Sequence, residues 1–359
     1  MTAARSMVQL LAGFAEGDAI SNESRALDRL FRQMGFVSRR VVVDGRIAPG
    51  AADQCEPLSA WRGAPDDIVL YHYGIASPAT DAFARAPGRK VLIYHNITPA
   101  GHFAGFDDAL AARLREARRE LAAVARAADA VWADSEFNAA ELRGLGVANA
   151  RVFPLLFAKE DAGVPPDPAV LARFAAPMKN LLFVGRMAPN KSVEDLILAF
   201  AWFNRTILPQ SRLILVGSER SCPRYYAMLR LLAGTLDLPN VCFEGYASPS
   251  GLAACYRVAD VFVSASRHEG YCLPLVEAMV HGVPVVARAA GGTPEAMGGA
   301  GVLFDDAGPA ELAELIRRVL EDAPLRAAVL DSQARRVQAL LGRPAEAELR
   351  ALLREVAGD

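Results

Sequence analysis

Glu269 and Glu277 stand on either side of a short turn, with seven residues between them, in the stretch Glu269-Gly270-Tyr271-Cys272-Leu273-Pro274-Leu275-Val276-Glu277. Ionised carboxylates accept paired hydrogen bonds from hydroxyl groups. Between the two lies a turn that feeds a helix start. The first N–H groups of a helix have no intrahelical partner and favour an anion. Gly270 lets the backbone approach a ligand closely. Pro274 is expected at the first helical position, where a missing N–H costs nothing. A lone anion would sit badly beside two carboxylates. A ligand with phosphate in its middle and hydroxyl-bearing rings at both ends would suit them.

The turn follows an apolar strand, Val261-Phe262-Val263, and precedes another, Gly282-Val283-Pro284-Val285-Val286. Similar strand–loop–helix units run through the chain. It opens with a strand at Met7 to Leu11 and a loop from Gly13 to Ser21. A helix follows, with Leu27, Leu30, Phe31 and Met34 at 3–4 spacing. Ser21 or Asn22 is expected to cap it, and Arg39 to Val43 forms the next strand. This is the start of a doubly wound sheet, whose first loop, carrying Gly17, lies at the carboxyl edge where ligands bind. Strands ending in His72 and His95 reach the same edge; His72 reads as structural or as a pocket wall. The helix from Asp107 to Ala128 carries Arg113, Arg115, Arg118, Arg119 and Arg126 interleaved with Glu116 and Glu120. Its default is a solvated, self-paired face. The sharper reading is contact with an anionic acceptor or membrane surface.

Lys159 to Pro177, with Pro165, Pro166, Pro168 and Pro177, is a linker by composition. The second half restarts the pattern. A strand ending at Val184 leads to Arg186 and Lys191 on a loop, the next strand ends at Gly217, and a third exits at Gly245-Tyr246. Arg186 offers a planar fork to phosphate and Lys191 a point charge.

A length of 359 residues suggests two domains, and 52% hydrophobic residues supply two cores. A net charge of −2 argues against a nucleic-acid binder. The five cysteines are scattered, without a C-x-x-C pair, so neither a disulfide framework nor a zinc site is expected. The apolar run at the N-terminus is too short for a signal peptide, and no run reaches about 18 apolar residues. The expectation is a cytoplasmic protein, with peripheral contact at the inner membrane surface left open.

The Glu269–Glu277 spacing, with Gly270 after the first Glu and the Gly-Val-Pro-Val-Val strand after the helix, resembles the signature of retaining glycosyltransferases of family 4, which have the GT-B fold. The resemblance covers nearly the whole chain, sharply from Asn180 to Phe304 and loosely from Met1 to Ala176. It implies an α/β chain of two Rossmann-like doubly wound domains facing across a cleft. Residues 1–165 would be the acceptor side, 166–177 a linker and 178–342 the nucleotide-sugar domain. Residues 343–359 would form a helix crossing back to the first domain.

In the resembled family, Glu269 and the backbone of Gly270, Tyr271, Cys272 and Leu273 would hold the donor sugar and phosphate. Glu277 would hold the ribose, while Arg186 and Lys191 meet the departing diphosphate. The family pattern there is strand-Gly-Arg-(four)-Lys-Gly, and this chain departs from it at Ser192, where Gly is usual. Gly217 and Tyr246 join the donor set, Tyr246 beside the base. Gly17 would lie over the donor phosphates, and the His95 imidazole would approach the sugar and acceptor. The implied catalytic set is His95, Glu269, Arg186 and Lys191, with no metal and no cofactor. The implied reaction moves a sugar from a GDP- or UDP-sugar to a saccharide or lipid-linked acceptor, in cell-surface polysaccharide biosynthesis. The alternatives are a GT-B sugar-nucleotide epimerase and a non-catalytic sugar-binding protein.

Overall fold

The computed structural model describes residues 6–157 and 163–357. It holds two parallel sheets. The first contains β1 (Ser6–Leu11), β2 (Val37–Val42), β3 (Glu56–Pro57), β4 (Ile68–Tyr73), β5 (Arg89–Tyr94), β6 (Ala130–Ala133) and β7 (Arg151–Val152), in the order β3-β2-β1-β4-β5-β6-β7. The second contains β8 (Lys179–Val184), β9 (Ser211–Val216), β10 (Val241–Gly245), β11 (Val261–Ser264), β12 (Val285–Arg288) and β13 (Val302–Phe304), in the order β10-β9-β8-β11-β12-β13. Runs such as Ile68-Val69-Leu70-Tyr71 and Val261-Phe262-Val263 are buried throughout, as strands covered on both faces must be. Each order reverses once, between β1 and β4 and between β8 and β11. At such a point the loops leaving adjacent strands diverge to opposite faces and open a crevice.

Each sheet has its own core. In the first, Met7, Leu27, Phe31, Leu70, Ile93 and Trp132 pack with Leu349, Leu353 and Val356 of the final helix, Ala345–Ala357. In the second, Leu181, Phe183, Ile197, Phe200, Leu215 and Val263 pack with Leu312 and Ile316 of the helix Pro309–Glu321. One compact unit comprises residues 6–100, 109–157 and 343–357, and the other comprises residues 101–108 and 163–342. Segment 101–108 thus groups with the second sheet, where the Phe106 ring stands edge-on to Tyr225 at 5.4 Å.

Three local readings need correction. The first helix spans Ala19–Gln33 and is capped by Asp18, not by Ser21 or Asn22. Gly17 turns the chain at φ 70°, so the helix starts early, and Asp18 Oδ2 accepts from Ser21 N at 2.9 Å. The helix after Cys272 spans Leu273–Val280, so Pro274 holds its second position, where the N–H would still be an orphan. The stretch read as linker contains a helix, Pro168–Arg173, capped by Asp167, whose N–H donates to the Ser250 carbonyl at 2.9 Å. Residues 159–162 of that stretch lie outside the described residues.

Candidate functional site

The second sheet places the loops after β8 and β11 side by side, because those strands pair directly (Val261 with Leu181, Phe262 with Leu182). This brings together side chains that are 78 residues apart. Lys191 Nζ lies 2.7 Å from both carboxylate oxygens of Glu269. Glu269 is buried and Lys191 half-buried, so the pair is shielded from screening. Backbone contacts fix the register: Arg267 N donates to Asn190 O at 2.9 Å, and Asn190 Nδ2 to His268 O at 3.2 Å. Asp195, on the helix Val193–Trp202, receives Arg267 at 3.0 Å and Arg288 at 3.4 Å. Arg186 is exposed on the same loop as Lys191.

Beyond Glu269, Tyr271 is buried and Cys272 sits in the left-handed region at φ 75°, turning the chain into the helix start. Burial and the neighbouring Glu269 push the Cys272 thiol well above its usual range. Gly291 and Gly292 lie against this turn, and Gly292 N donates to Glu269 O at 2.9 Å. Glu277 projects one turn into the helix. Its Oε2 accepts from Tyr256 Oη at 2.7 Å, and Tyr256 is buried and stacked on His281 at 4.9 Å. Burial and the Glu277 charge hold the Tyr256 phenol protonated, with its pKa far above the ordinary value. Gly217 packs so closely on Gly185 that a Cβ would lie 1.9 Å from the Gly185 carbonyl oxygen. Tyr246 is exposed at the exit of β10.

In the first unit, four adjacent strands, β1, β4, β5 and β6, bring Gln9, His72, His95 and Asp134 into one line. His72 Nε2 lies 2.9 Å from Gln9 Oε1, His72 Nδ1 lies 2.8 Å from His95 Nε2, and His95 Nδ1 lies 3.1 Å from Asp134 Oδ2. The two rings are within 2° of parallel. The His95 side chain is only 3% exposed, so both of its nitrogens are committed inside the unit. Gly17 lies on the loop after β1. Glu23, from the first helix, is buried and accepts from Leu156 N at 2.7 Å. Burial raises its pKa to about 7.

Among the described residues, no group of three or more His, Cys, Asp or Glu side chains could hold a metal ion, and no helix is long and apolar enough to cross a membrane.

Residues 174–336 match the family model described as glycosyl transferases group 1. They include β8 through β13 and both loops of the Lys191–Glu269 contact. The chain matches this family over the whole of its second sheet. It is 37% identical over 171 residues to a D-inositol 3-phosphate glycosyltransferase of Thermomonospora curvata, covering 45% of this chain and 39% of that protein. It is 38% identical over 110 residues to a GDP-mannose-dependent alpha-mannosyltransferase of Mycolicibacterium smegmatis, covering 31% and 25%. The chain thus spans well under two thirds of the length of these curated relatives. Among solved structures, Anabaena Alr3699/HepE in complex with UDP and glucose superposes with a TM-score of 0.75 at 20% identity, covering 97% of this chain and 99% of that one. That likeness shows the fold, GT-B, with its two parallel-sheet Rossmann-like domains.

The departure from the family pattern at Ser192 has a physical cost. Ser192 stands at φ 46°, ψ 49°, in the left-handed region that favours Gly. Its hydroxyl is buried without a hydrogen-bond partner. We expect Ser192→Gly to stabilise the protein by about 1–2 kcal/mol, relieving both penalties against a smaller entropic loss. A raised urea midpoint with an unchanged slope would show it; an unchanged or lowered midpoint would refute the account of this turn.

Sequence reading missed Gln9 and Asp134 as partners of the histidines, Glu23 as the buried acceptor of the Leu156 N–H, and Tyr256 as the partner of Glu277. Asp134 was visible only as an acid near a helix cap. Its position at the end of the strand beside β5 is the signal that would have singled it out. Glu23 carries a further expectation. It binds a proton more tightly folded than unfolded, so its contribution is fully present below about pH 4.5 and fades as pH rises through about 7. The loss amounts to about 3 kcal/mol. Glu23→Gln, which can still accept from Leu156 N, should flatten the stability profile over that window in urea melts. A slope that persists would mean that another group carries it.

Proposed function

We propose that the chain is a retaining glycosyltransferase that takes a nucleoside diphosphate sugar, with uridine or guanosine as the base, as donor. The observation that carries this reading is the Lys191–Glu269 pair at the mouth of the helix Leu273–Val280, with Glu277 one turn further on. Glu269 and the amides of Gly270 to Leu273 take the sugar and phosphate, and Glu277, oriented by Tyr256, takes the ribose hydroxyls. Gly217, packed against the Gly185 carbonyl, belongs to the donor side, and Tyr246 flanks the base. Arg186, Lys191 and the helix start meet charge developing on the departing diphosphate, the electrostatic stabilisation that lowers such barriers. With those cations in place the reading calls for neither a metal nor a cofactor. In the first unit Gly17 and His95 belong to the reacting side. Retention would arise from front-face attack, with the acceptor entering beside the leaving group.

The acceptor is a saccharide, free or lipid-linked, as in assembly of a cell-surface polysaccharide. The first unit offers a groove with Pro99, Ala100 and Leu114 as its apolar wall and Arg115 and Arg119 at its rim. That mixture suits an acceptor carrying both an apolar and an anionic part, or peripheral contact with an anionic membrane. The epimerase and binding-protein alternatives have less support, because the curated relatives named above are glycosyltransferases.

Losing a charge-assisted hydrogen bond costs about 1.5–3 kcal/mol. Glu277→Ala should therefore raise the Kd for UDP or GDP about 10–100-fold in calorimetric titration. Undiminished nucleotide affinity would remove Glu277 from the ribose.

A further inference from the structure

The line Gln9–His72–His95–Asp134 can be read proton by proton. Gln9 Nε2 donates to the Ser24 carbonyl at 3.0 Å, so its Oε1 faces His72 and must accept. His72 Nε2 therefore carries a hydrogen. At the other end, Asp134 Oδ1 accepts from Asn138 Nδ2, and Asn138 Oδ1 accepts from Asn96 Nδ2 at 2.7 Å. The amide orientations are thus set, and Asp134 is an acceptor on both oxygens. His95 Nδ1 therefore donates to it. One contact remains, His72 Nδ1 to His95 Nε2 at 2.8 Å, and it too needs a hydrogen, since two bare lone pairs at that distance repel. Three hydrogens on four ring nitrogens amount to one positive charge on the pair.

We propose that His72 and His95 hold one proton between them, forming a single buried cation locked to Asp134, and that His95 acts on the site as a fixed positive charge rather than as a proton donor or acceptor. His72 is then a positioning residue. The proton belongs on His95, whose far nitrogen meets the carboxylate. Burial and the His95 charge hold His72 neutral, far below its usual pKa. The inference rests on the assignment of His95 to the reacting side only for its consequence in transfer; the protonation state stands without it.

The charged groups around the pair are Asp134 at the end of β6, Glu23 on the first helix, and Arg343 before the last helix, which acts on Glu23. Tyr94, on β5, donates to Glu141 at 2.6 Å, and Arg118 pairs with the same carboxylate. With Glu23 accepting the Leu156 N–H, Asp134 is the carboxylate in contact with an imidazole. His72→Gln keeps the geometry in principle: a carboxamide oxygen can accept from His95, and its nitrogen can donate to Gln9. His72→Leu can do neither.

The test is nitrogen NMR of the ring atoms in histidine-labelled, ligand-free protein. The chain has five histidines, so the His72→Gln and His95→Gln spectra assign the pair. We expect three of the four ring nitrogens of His72 and His95 to be protonated at pH 7. Two of four overturns the shared cation. In transfer assays His72→Gln should keep at least about a tenth of kcat and an unshifted pH profile, while His72→Leu loses about 100-fold in kcat with donor KM little changed. If His72→Gln instead shifts the pH profile by a unit or more, His95 exchanges protons during turnover and the fixed-charge role fails. If no donor is turned over at all, the proposed function fails while the NMR result still decides the cation.

Discussion

Replacing Glu269 by Gln is expected to lower kcat/KM for sugar transfer about 10²–10³-fold, the loss typical of one preorganised electrostatic contact in a shielded site. Glu269 is buried, and its ion-pair partner is Lys191, at 2.7 Å from both oxygens. The carboxylate does two things there. In the proposed reading it accepts from donor hydroxyls, and it holds the Lys191 ammonium at one place on the loop. A carboxamide keeps the shape but loses the charge and half of the acceptor capacity. Glu269→Ala is the harsher change, because it strands a half-buried ammonium, and breaking a buried pair costs about 3–5 kcal/mol of stability. Lys191→Met in the same chain should return most of that stability and none of the activity. Urea melts and steady-state kinetics on the single and double variants separate the two. If Glu269→Gln turns over like the parent, the carboxylate has no part in transfer.

Gly291→Ala should be nearly as damaging, for a reason in the backbone. Gly291 stands at φ 58°, and an added Cβ would lie 2.1 Å from the Glu269 carbonyl oxygen, with the Glu269 nitrogen at 3.1 Å. Neither neighbour is the end of a flexible side chain, so the loop must move off the turn. Strain in the left-handed region and the forced displacement together cost about 3 kcal/mol. The displaced turn carries Glu269 itself, so donor affinity should fall at least tenfold. Gly282→Ala is the matched control. Gly282 has φ 69° and open space where the Cβ would go. It should cost about 1 kcal/mol and leave donor binding unchanged. Equal losses in both variants would show that conformational strain alone matters and that the contact with Glu269 does not.

The fold was legible because parallel strands covered on both faces are continuous apolar runs, such as Val69-Leu70-Tyr71 leading to His72 and Val261-Phe262-Val263 leading to Ser264. The run Leu181-Leu182-Phe183-Val184-Gly185, coming after the proline-rich stretch, marked the restart of the pattern and so a second sheet. What remained hidden depends on strand order. That β8 lies beside β11 is a fact of topology, and only it brings Lys191 to Glu269. The same holds for Gln9, His72, His95 and Asp134, which are far apart in sequence and aligned only because β1, β4, β5 and β6 are neighbours. Asp18 was missed as a cap because Ser, Asn and Asp are near-equal there, and only the φ of Gly17 decides where the helix starts. The preference for Gly at position 192 was visible as a pattern, while its cause, a left-handed backbone, required the coordinates.

The most direct measurement incubates the protein with a panel of UDP- and GDP-sugars and saccharide acceptors and reads the anomeric configuration of the product by NMR. The account predicts that at least one donor is consumed only when an acceptor is present, that the product keeps the donor's configuration, and that Glu269→Gln suppresses the reaction. A product of inverted configuration, or a donor isomerised without any acceptor, would contradict it.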